Sequence, residues 1–329
     1  MPSTKTIKAA IAGAAGYTGG ELIRILLRHP QVEMTALLTT RLHGQPVASV
    51  HRDLYGDCDL RFTDTPGEPD VLFLCLGHGL SREFLTNTPV PDSCKIIDLG
   101  SDFRVANTFG ARPFVYGLPE LFRDAIGRAA GIANPGCFAT AILLALAPLA
   151  ASRRLAADVH IHAITGATGA GRHPGETTHF SARAANLSVY KPFVHQHLEE
   201  IKKTLGALSR SPVPEIAMIP VRGDFTRGLF ASILTKLPDE TDGADVREQY
   251  RAFYAASPFV HLSDETVSLK EVVNTNKALL NVDYHRPYLH ITSVIDNLLK
   301  GASGQAVQNM NLLFGLTEDC GLRLKGSAF

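Results

Sequence analysis

Along the first 150 residues, apolar runs alternate with glycine turns and amphipathic stretches. In "TIKAAIAGAAGYTGGELIRILLRHP", Ile7, Ala9 and Ile11 mark a strand, and a glycine-rich turn follows. From about Thr18 to Arg28 the apolar residues Leu22, Ile25 and Leu26 recur at helical spacing, which predicts a helix with one buried face that stops before Pro30. "VEMTALLTT", "DVLFLCLGHG" and "KIIDLGSDFR" read as further strands. The second of these is apolar throughout, as in a strand buried on both faces of a parallel sheet. "AAGIANPGC" reads as a short strand feeding a long apolar helix that begins at Cys137. Strands alternating with helices predict a parallel, doubly wound α/β sheet.

The second half has a different rhythm. "DVHIHAITGATG", "EIAMIPVRG", "GLFASILTKL", "LLNVDYH" and "YLHITSVID" read as meandering strands, with helices over about 197–208 and 244–256. This is an α+β pattern. The tail "DNLLKGASGQAVQNMNLLFGL" predicts a last helix that buries Ala306, Met310 and Leu313 on one face. Two domains dividing near residue 150 are expected, with no internal repeat and no low-complexity linker.

Composition narrows the function classes. Hydrophobic residues make up 45% of the 329 and charged residues 19%, so the chain can bury a sizeable core and is not a disordered segment. Thirty-two basic residues balance 32 acidic ones, so no global charge draws nucleic acid or an anionic membrane. An anionic ligand must be held by local sites. The five cysteines, Cys58, Cys75, Cys94, Cys137 and Cys320, are odd in number and form no CxxC pair. That argues against a disulfide framework or a zinc ribbon and for a reducing compartment. With no signal-peptide pattern and no apolar run of the roughly 18 residues a membrane span needs, a cytoplasmic protein is expected.

Three groups of residues carry candidate chemistry. The first is the turn "GAAGYTG", where Gly13, Ala15, Gly16, Tyr17, Thr18 and Gly19 lie between strand and helix. Glycines there let the backbone approach a pyrophosphate at the helix N-terminus, so these residues are candidates for dinucleotide binding. The second strand ends in Thr39, Thr40 and Arg41 rather than the acid that would bind a ribose 2′-hydroxyl; hydroxyls and a cation fit a 2′-phosphate, hence NADP(H). The second group is Cys137, which follows Pro135 and Gly136 and opens a helix. A helix N-terminus stabilises a thiolate and offers N–H groups to an oxyanion, which makes Cys137 a candidate nucleophile. A proton-transfer partner would be a histidine, and His195 and His197 stand two apart before a charged helix. No third and fourth ligand cluster accompanies them, so no metal is expected. His160 and His162 share a strand face and read as structural. The third group is the arginines at turn signals, Arg104, Arg172, Arg222 and Arg227, suited to a phosphate or carboxylate.

Together, "GAAGYTGGELIRILLRHP", "DLGSDFR", "NPGCFAT", "GATGAGR", "HQHLEEI" and "DNLLKGASGQAVQ" resemble the N-acetyl-gamma-glutamyl-phosphate reductases of arginine biosynthesis, within the aspartate-semialdehyde dehydrogenase superfamily. The resemblance covers nearly the whole chain. It implies a Rossmann-type NADP-binding domain over 1–149, to which the C-terminal helix of 300–329 returns, and an α+β catalytic and dimerisation domain over 150–299. It implies NADPH-dependent reduction of an acyl phosphate to a semialdehyde through a cysteine thioester, with release of phosphate, by a homo-oligomer (dimer or tetramer). Carried over by motif, Cys137 resembles the nucleophile and His195 the acid/base. Tyr190, His197, Arg104 and Arg172 resemble substrate-site residues, Arg104 at the phosphate. Asn311 resembles a cofactor-contacting asparagine. "RLHGQPVASVH" and "VYKPFVHQH" resemble relatives that act on N-acetyl-aminoadipyl phosphate with a carrier protein about as well, while "GAGR" resembles the arginine enzymes better, so a C6 substrate or another N-acyl form stays open. Outside enzymes, an NADP-binding sensor or a scaffold subunit also accommodates the glycine turn.

Overall fold

The computed structural model describes residues 6–238 and 240–327. They form two compact units: residues up to Pro135 with Ala302–Arg323, and Gly136–Gly301 with the residues from Leu324 on.

The first unit is built on seven strands: β1 (Ile7–Ala12), β2 (Val32–Leu38), β3 (Val71–Leu74), β4 (Lys95–Asp98), β5 (Thr108–Phe109), β6 (Arg112–Tyr116) and β7 (Gly131–Ala133). Their order is β2-β1-β3-β4-β7-β6-β5, parallel except for the β5–β6 pair. β3 is buried at every position, as its apolar sequence requires. Helix α1 (Tyr17–Leu26) follows β1 and buries Leu22, Ile25 and Leu26, the face its spacing predicts. Helices α2 (Leu80–Asn87) and α3 (Pro119–Gly127) and the β5–β6 hairpin went unread in the sequence because each is short. Since β2 and β3 flank β1 on opposite sides, the chain reverses its winding there. The C-terminal ends of β1 and β3 form the crevice where doubly wound sheets bind ligands.

The second unit opens with α4 (Cys137–Ala151) and contains β8 (Val159–Thr165), α5 (Phe180–Arg183), β9 (Ser188–Val189), α6 (His197–Ser209), β10 (Ile216–Arg222), β11 (Leu229–Lys236), α7 (Gly243–Tyr254), β12 (Val260–Ser263), β13 (Ala278–His285) and β14 (Tyr288–Ile295). The strands form a mixed sheet ordered β12-β13-β14-β11-β8-β10-β9. Ile161, Met218, Ile233, Ile291 and Val282 lie in one register row, all buried, on the face where α4, α6 and α7 pack. Alternate positions, including His160, His162, Ile219 and Leu234, point to the other face, where the segment 267–272 packs on Phe230, Leu279 and Val294.

The division between units differs from the sequence reading. The break expected near 149/150 lies at Pro135/Gly136, because α4 is apolar on every side and is enclosed by α6, β11 and β14. Likewise residues 324–327 group with the second unit, where Ser327 N–H donates to Val273 O. The tail is not one helix either. A short π-helical turn over Leu299–Ser303 precedes α8 (Gly304–Leu313), and Asp296 ties the entry by accepting from the Leu298 and Leu299 N–H groups.

Inside α4, Pro148 has no N–H to give the Leu144 carbonyl four residues before it. The Tyr254 hydroxyl donates to that carbonyl instead, at 2.5 Å, and the Tyr250 hydroxyl donates to Ala145 O at 2.6 Å. Tyr254→Phe therefore leaves a buried carbonyl without its donor and should lower stability by about 1–3 kcal/mol. A denaturant midpoint equal to that of the unmutated chain would show that the helix finds another donor.

Candidate active site

In the first unit the glycine turn sits at the β1 end of the crevice. Gly13 has φ +80°, and a Cβ placed on it would lie 2.3 Å from the Cys75 carbonyl oxygen just beyond β3. Only glycine meets both demands. Gly16 is the N-cap of α1, with no side chain capping it and no acidic residue in the first turn, so the N-terminus is open to an anion. Tyr17, Thr18 and Gly19 start the helix, and the Thr18 carbonyl accepts from the Ser303 hydroxyl. Past β2, Thr40 and Arg41 are exposed, and the Thr39 hydroxyl closes a turn by accepting from Leu42 N–H. The residues present fit a dinucleotide whose pyrophosphate meets the glycine turn, and no carboxylate follows β2 to repel a 2′-phosphate.

Two expected site residues have structural work in this unit. Asn311 is fully buried: its amide donates to Glu318 O and Cys320 O, and its Oδ1 pairs with His29 Nε2. It pins the segment after α8 rather than presenting itself to a cofactor. Arg104 is also buried, donating from Nε to Asn134 O and from Nη2 to Leu99 O, so it joins the loop after β4 to the end of β7. Helical periodicity and a loop position had given no sign of either set of partners.

In the second unit Cys137 is half-buried, the first residue of α4, and its N-cap Gly136 has no side-chain cap. Phe138, the next residue, has its ring against both histidines, with centroids 5.2 Å from His195 and 6.0 Å from His197. The histidine rings are 4.6 Å apart, and both residues are buried. The His197 N–H donates to His195 Nδ1 at 3.2 Å. A neutral His195 accepting there carries its own proton on Nε2. The Tyr190 ring is 5.7 Å from His195, with the Arg222 guanidinium 4.7 Å above it. Burial, reinforced by the neighbouring Cys137, pushes the Tyr190 hydroxyl above its ordinary range. The fold thus brings Cys137, Tyr190, His195 and His197 together. Arg172 is exposed in the loop after β8, and Arg227 pairs with the buried Asp296. Of the other cysteines, burial raises Cys75 to about 12 and Cys94 to about 11, which keeps both as thiols.

Three groups escaped the sequence reading. Glu200 is buried on α6 and accepts from the Gly136 N–H; the signal was an acid at i+3 from His197, inside the apolar stripe of the helix. Gly301 packs against Cys137, where a Cβ would come within 2.8 Å of the Cys137 Cβ. Asp98, at the end of β4, is fully buried.

Two family models cover most of the chain: the NAD binding domain of semialdehyde dehydrogenases over residues 8–129 and their dimerisation domain over 137–297. A glycine turn on a parallel sheet, followed by a mixed sheet whose first helix opens on a cysteine, is the semialdehyde dehydrogenase class. Solved structures share the fold: aspartate semialdehyde dehydrogenase II from Vibrio cholerae at 19% identity and TM-score 0.69, covering 94% of this chain and 98% of that one, and the Candida albicans enzyme at 14% and 0.65. N-acetyl-gamma-glutamyl-phosphate reductase from Bacteroides fragilis is 52% identical over 98% of this chain and all of its own length, and that from Phocaeicola vulgatus is 50% identical over the same shares. The chain belongs to the N-acetyl-gamma-glutamyl-phosphate reductase family.

Asp98 makes a test of burial in the first unit. Its Oδ1 accepts from the Ser81 hydroxyl and Gly100 N–H, and its Oδ2 has no partner among the described residues. Burial raises the carboxyl from 3.8 to about 6. Between those values the folded chain holds a proton that the unfolded chain has lost, so this group's contribution to stability falls as pH rises from 3.8 through 6. Relative to Asp98→Asn, the unmutated chain should lose on the order of 2–3 kcal/mol between pH 4 and pH 7. Denaturant titrations of both proteins across that range would show it; a constant difference would mean the carboxyl titrates normally.

Proposed function

We propose that this chain reduces N-acetyl-gamma-glutamyl phosphate to N-acetyl-glutamate semialdehyde, releasing phosphate, as a step of arginine biosynthesis in the cytoplasm. The observation that carries the reading is the half-exposed Cys137 at an uncapped helix N-terminus, beside two buried histidines. NADPH, held by the turn from Gly13 to Gly19 with Thr40 and Arg41 at its 2′-phosphate, supplies the hydride when bound. The remaining roles belong to the chain. The helix N-terminus favours the Cys137 thiolate, which attacks the acyl carbon and displaces phosphate. The resulting thioester accepts hydride more readily than a carboxylate would. As the carbonyl oxygen gains charge, the first-turn N–H groups of α4 and the Nε2–H of His195 meet it. Collapse of the thiohemiacetal releases the aldehyde and returns the thiolate. Tyr190 and Arg222 border the same space and orient the N-acyl amino acid.

Run in reverse, the purified chain should reduce NADP with N-acetyl-glutamate semialdehyde only when phosphate is present. The rate with NAD should be at least about tenfold lower, the size of one lost charge-assisted contact, and that with the C6 homologue about tenfold lower, the size of one misfitted methylene. Cys137→Ala should abolish turnover and leave NADPH binding intact. Turnover without phosphate, or preference for the C6 aldehyde, would refute the assignment. NADP binding with no turnover would favour the sensor.

The chain is also proposed to act as a homodimer through the face of the second sheet opposite α4, α6 and α7. Ile164, Ala217, Ile219, Val221 and Leu234 give that face an apolar surface, and it lies within the region matched to a dimerisation domain. Among the described residues, no helix is long and apolar enough to cross a membrane. Ile219→Glu combined with Leu234→Glu should yield a monomer in sedimentation velocity, whereas an unchanged mass would place the interface elsewhere.

A further inference from the structure

Glu200 is 2% exposed, yet nothing in the reaction as described uses it. Its Oε2 accepts from the Gly136 N–H at 3.2 Å, and its Oε1 lies 3.9 Å from His197 Nε2. The His197 ring in turn occupies the space beside Gly136: a Cβ there would come 2.3 Å from Nε2. Carboxylate, imidazole and the peptide before Cys137 therefore close on one another. A carboxylate removed from water is strongly unfavourable unless charge or donors meet it. His197 is the side chain in this contact that can supply a charge, and the carboxylate favours its protonated form. His195, on the same segment, has its ring 4.6 Å from that of His197, and Phe138 of α4 packs on both. His195 Nδ1 accepts the His197 N–H, so that nitrogen is turned to the backbone.

The chemistry needs such a cation. A thiolate must approach a substrate bearing a phosphate and a carboxylate, and like charges repel. We propose that Glu200 is a positioning residue that holds the Gly136–Cys137 turn by its hydrogen bond and keeps His197 as an imidazolium, which draws anionic substrate towards Cys137. This rests on the reading of Cys137 as the nucleophile.

The test alkylates the full-length chain with iodoacetamide, which is neutral, and iodoacetate, which is an anion. Mass spectrometry reads the rate at Cys137. Glu200→Gln keeps an oxygen for the Gly136 N–H but removes the charge. It should slow iodoacetate about tenfold and leave iodoacetamide within about threefold. The KM for phosphate in the reverse reaction should rise by a similar factor, with kcat changed much less. Glu200→Asp keeps the charge and should retain the iodoacetate preference, which also serves if Glu200→Gln folds poorly. Equal slowing of both reagents, or of neither, would overturn the proposal while leaving the nucleophile in place. A Cys137 that is no more reactive than the other four cysteines in the unmutated chain would overturn the nucleophile reading itself.

Discussion

The lack of room at Gly136 governs the catalytic unit. One atom of side chain there would drive into the His197 ring, and the peptide N–H of the same residue is bonded to a buried carboxylate. Held from both sides, the chain has one way to enter α4, and Cys137 becomes its first residue with the sulfur half-exposed. The helix is then buried over its next 13 residues, so it cannot shift along its axis without opening the core. The place of Cys137 at one end depends on packing along the whole length.

That dependence runs through polar groups as well as apolar ones. Pro148 would leave the Leu144 carbonyl unbonded inside an apolar core, and α7 answers with a tyrosine hydroxyl. α6 supplies Glu200 and His197 at the other end of the same helix. Both neighbours of α4 therefore do for its backbone what its own sequence, rich in alanine and leucine, cannot. The first unit solves a similar problem with asparagines: Asn309 bonds Gly117 O and Asn134 Oδ1, while Asn311 bonds the chain after α8. Residues that look like ligands in the sequence are here the fasteners of a loop-rich edge.

The glycine turn shows the opposite economy. Gly13 is required by a positive φ and by the carbonyl that faces it, and nothing further along the chain has to be known to see why a side chain is excluded. The turn stands at the point where the winding of the sheet reverses, a position set by the strand order and not by the turn itself.

What the sequence determined by itself is local or periodic. Helical spacing marked α1 to within two residues at either end, apolar runs marked β3 and α4, and the Pro-Gly entry marked Cys137. These are readable because each rests on bonds or burial within one short segment. Tertiary structure decided which unit α4 joins, since an all-apolar helix states that it is buried but not against what. It decided which groups Arg104 and Asn311 bond, because Arg104 reaches carbonyls 5 and 30 residues away and Asn311 reaches a carbonyl 7 residues away and the His29 ring 282 residues away. It brought Glu200 to Gly136 across 64 residues, a meeting of two helix ends that no spacing within either helix records.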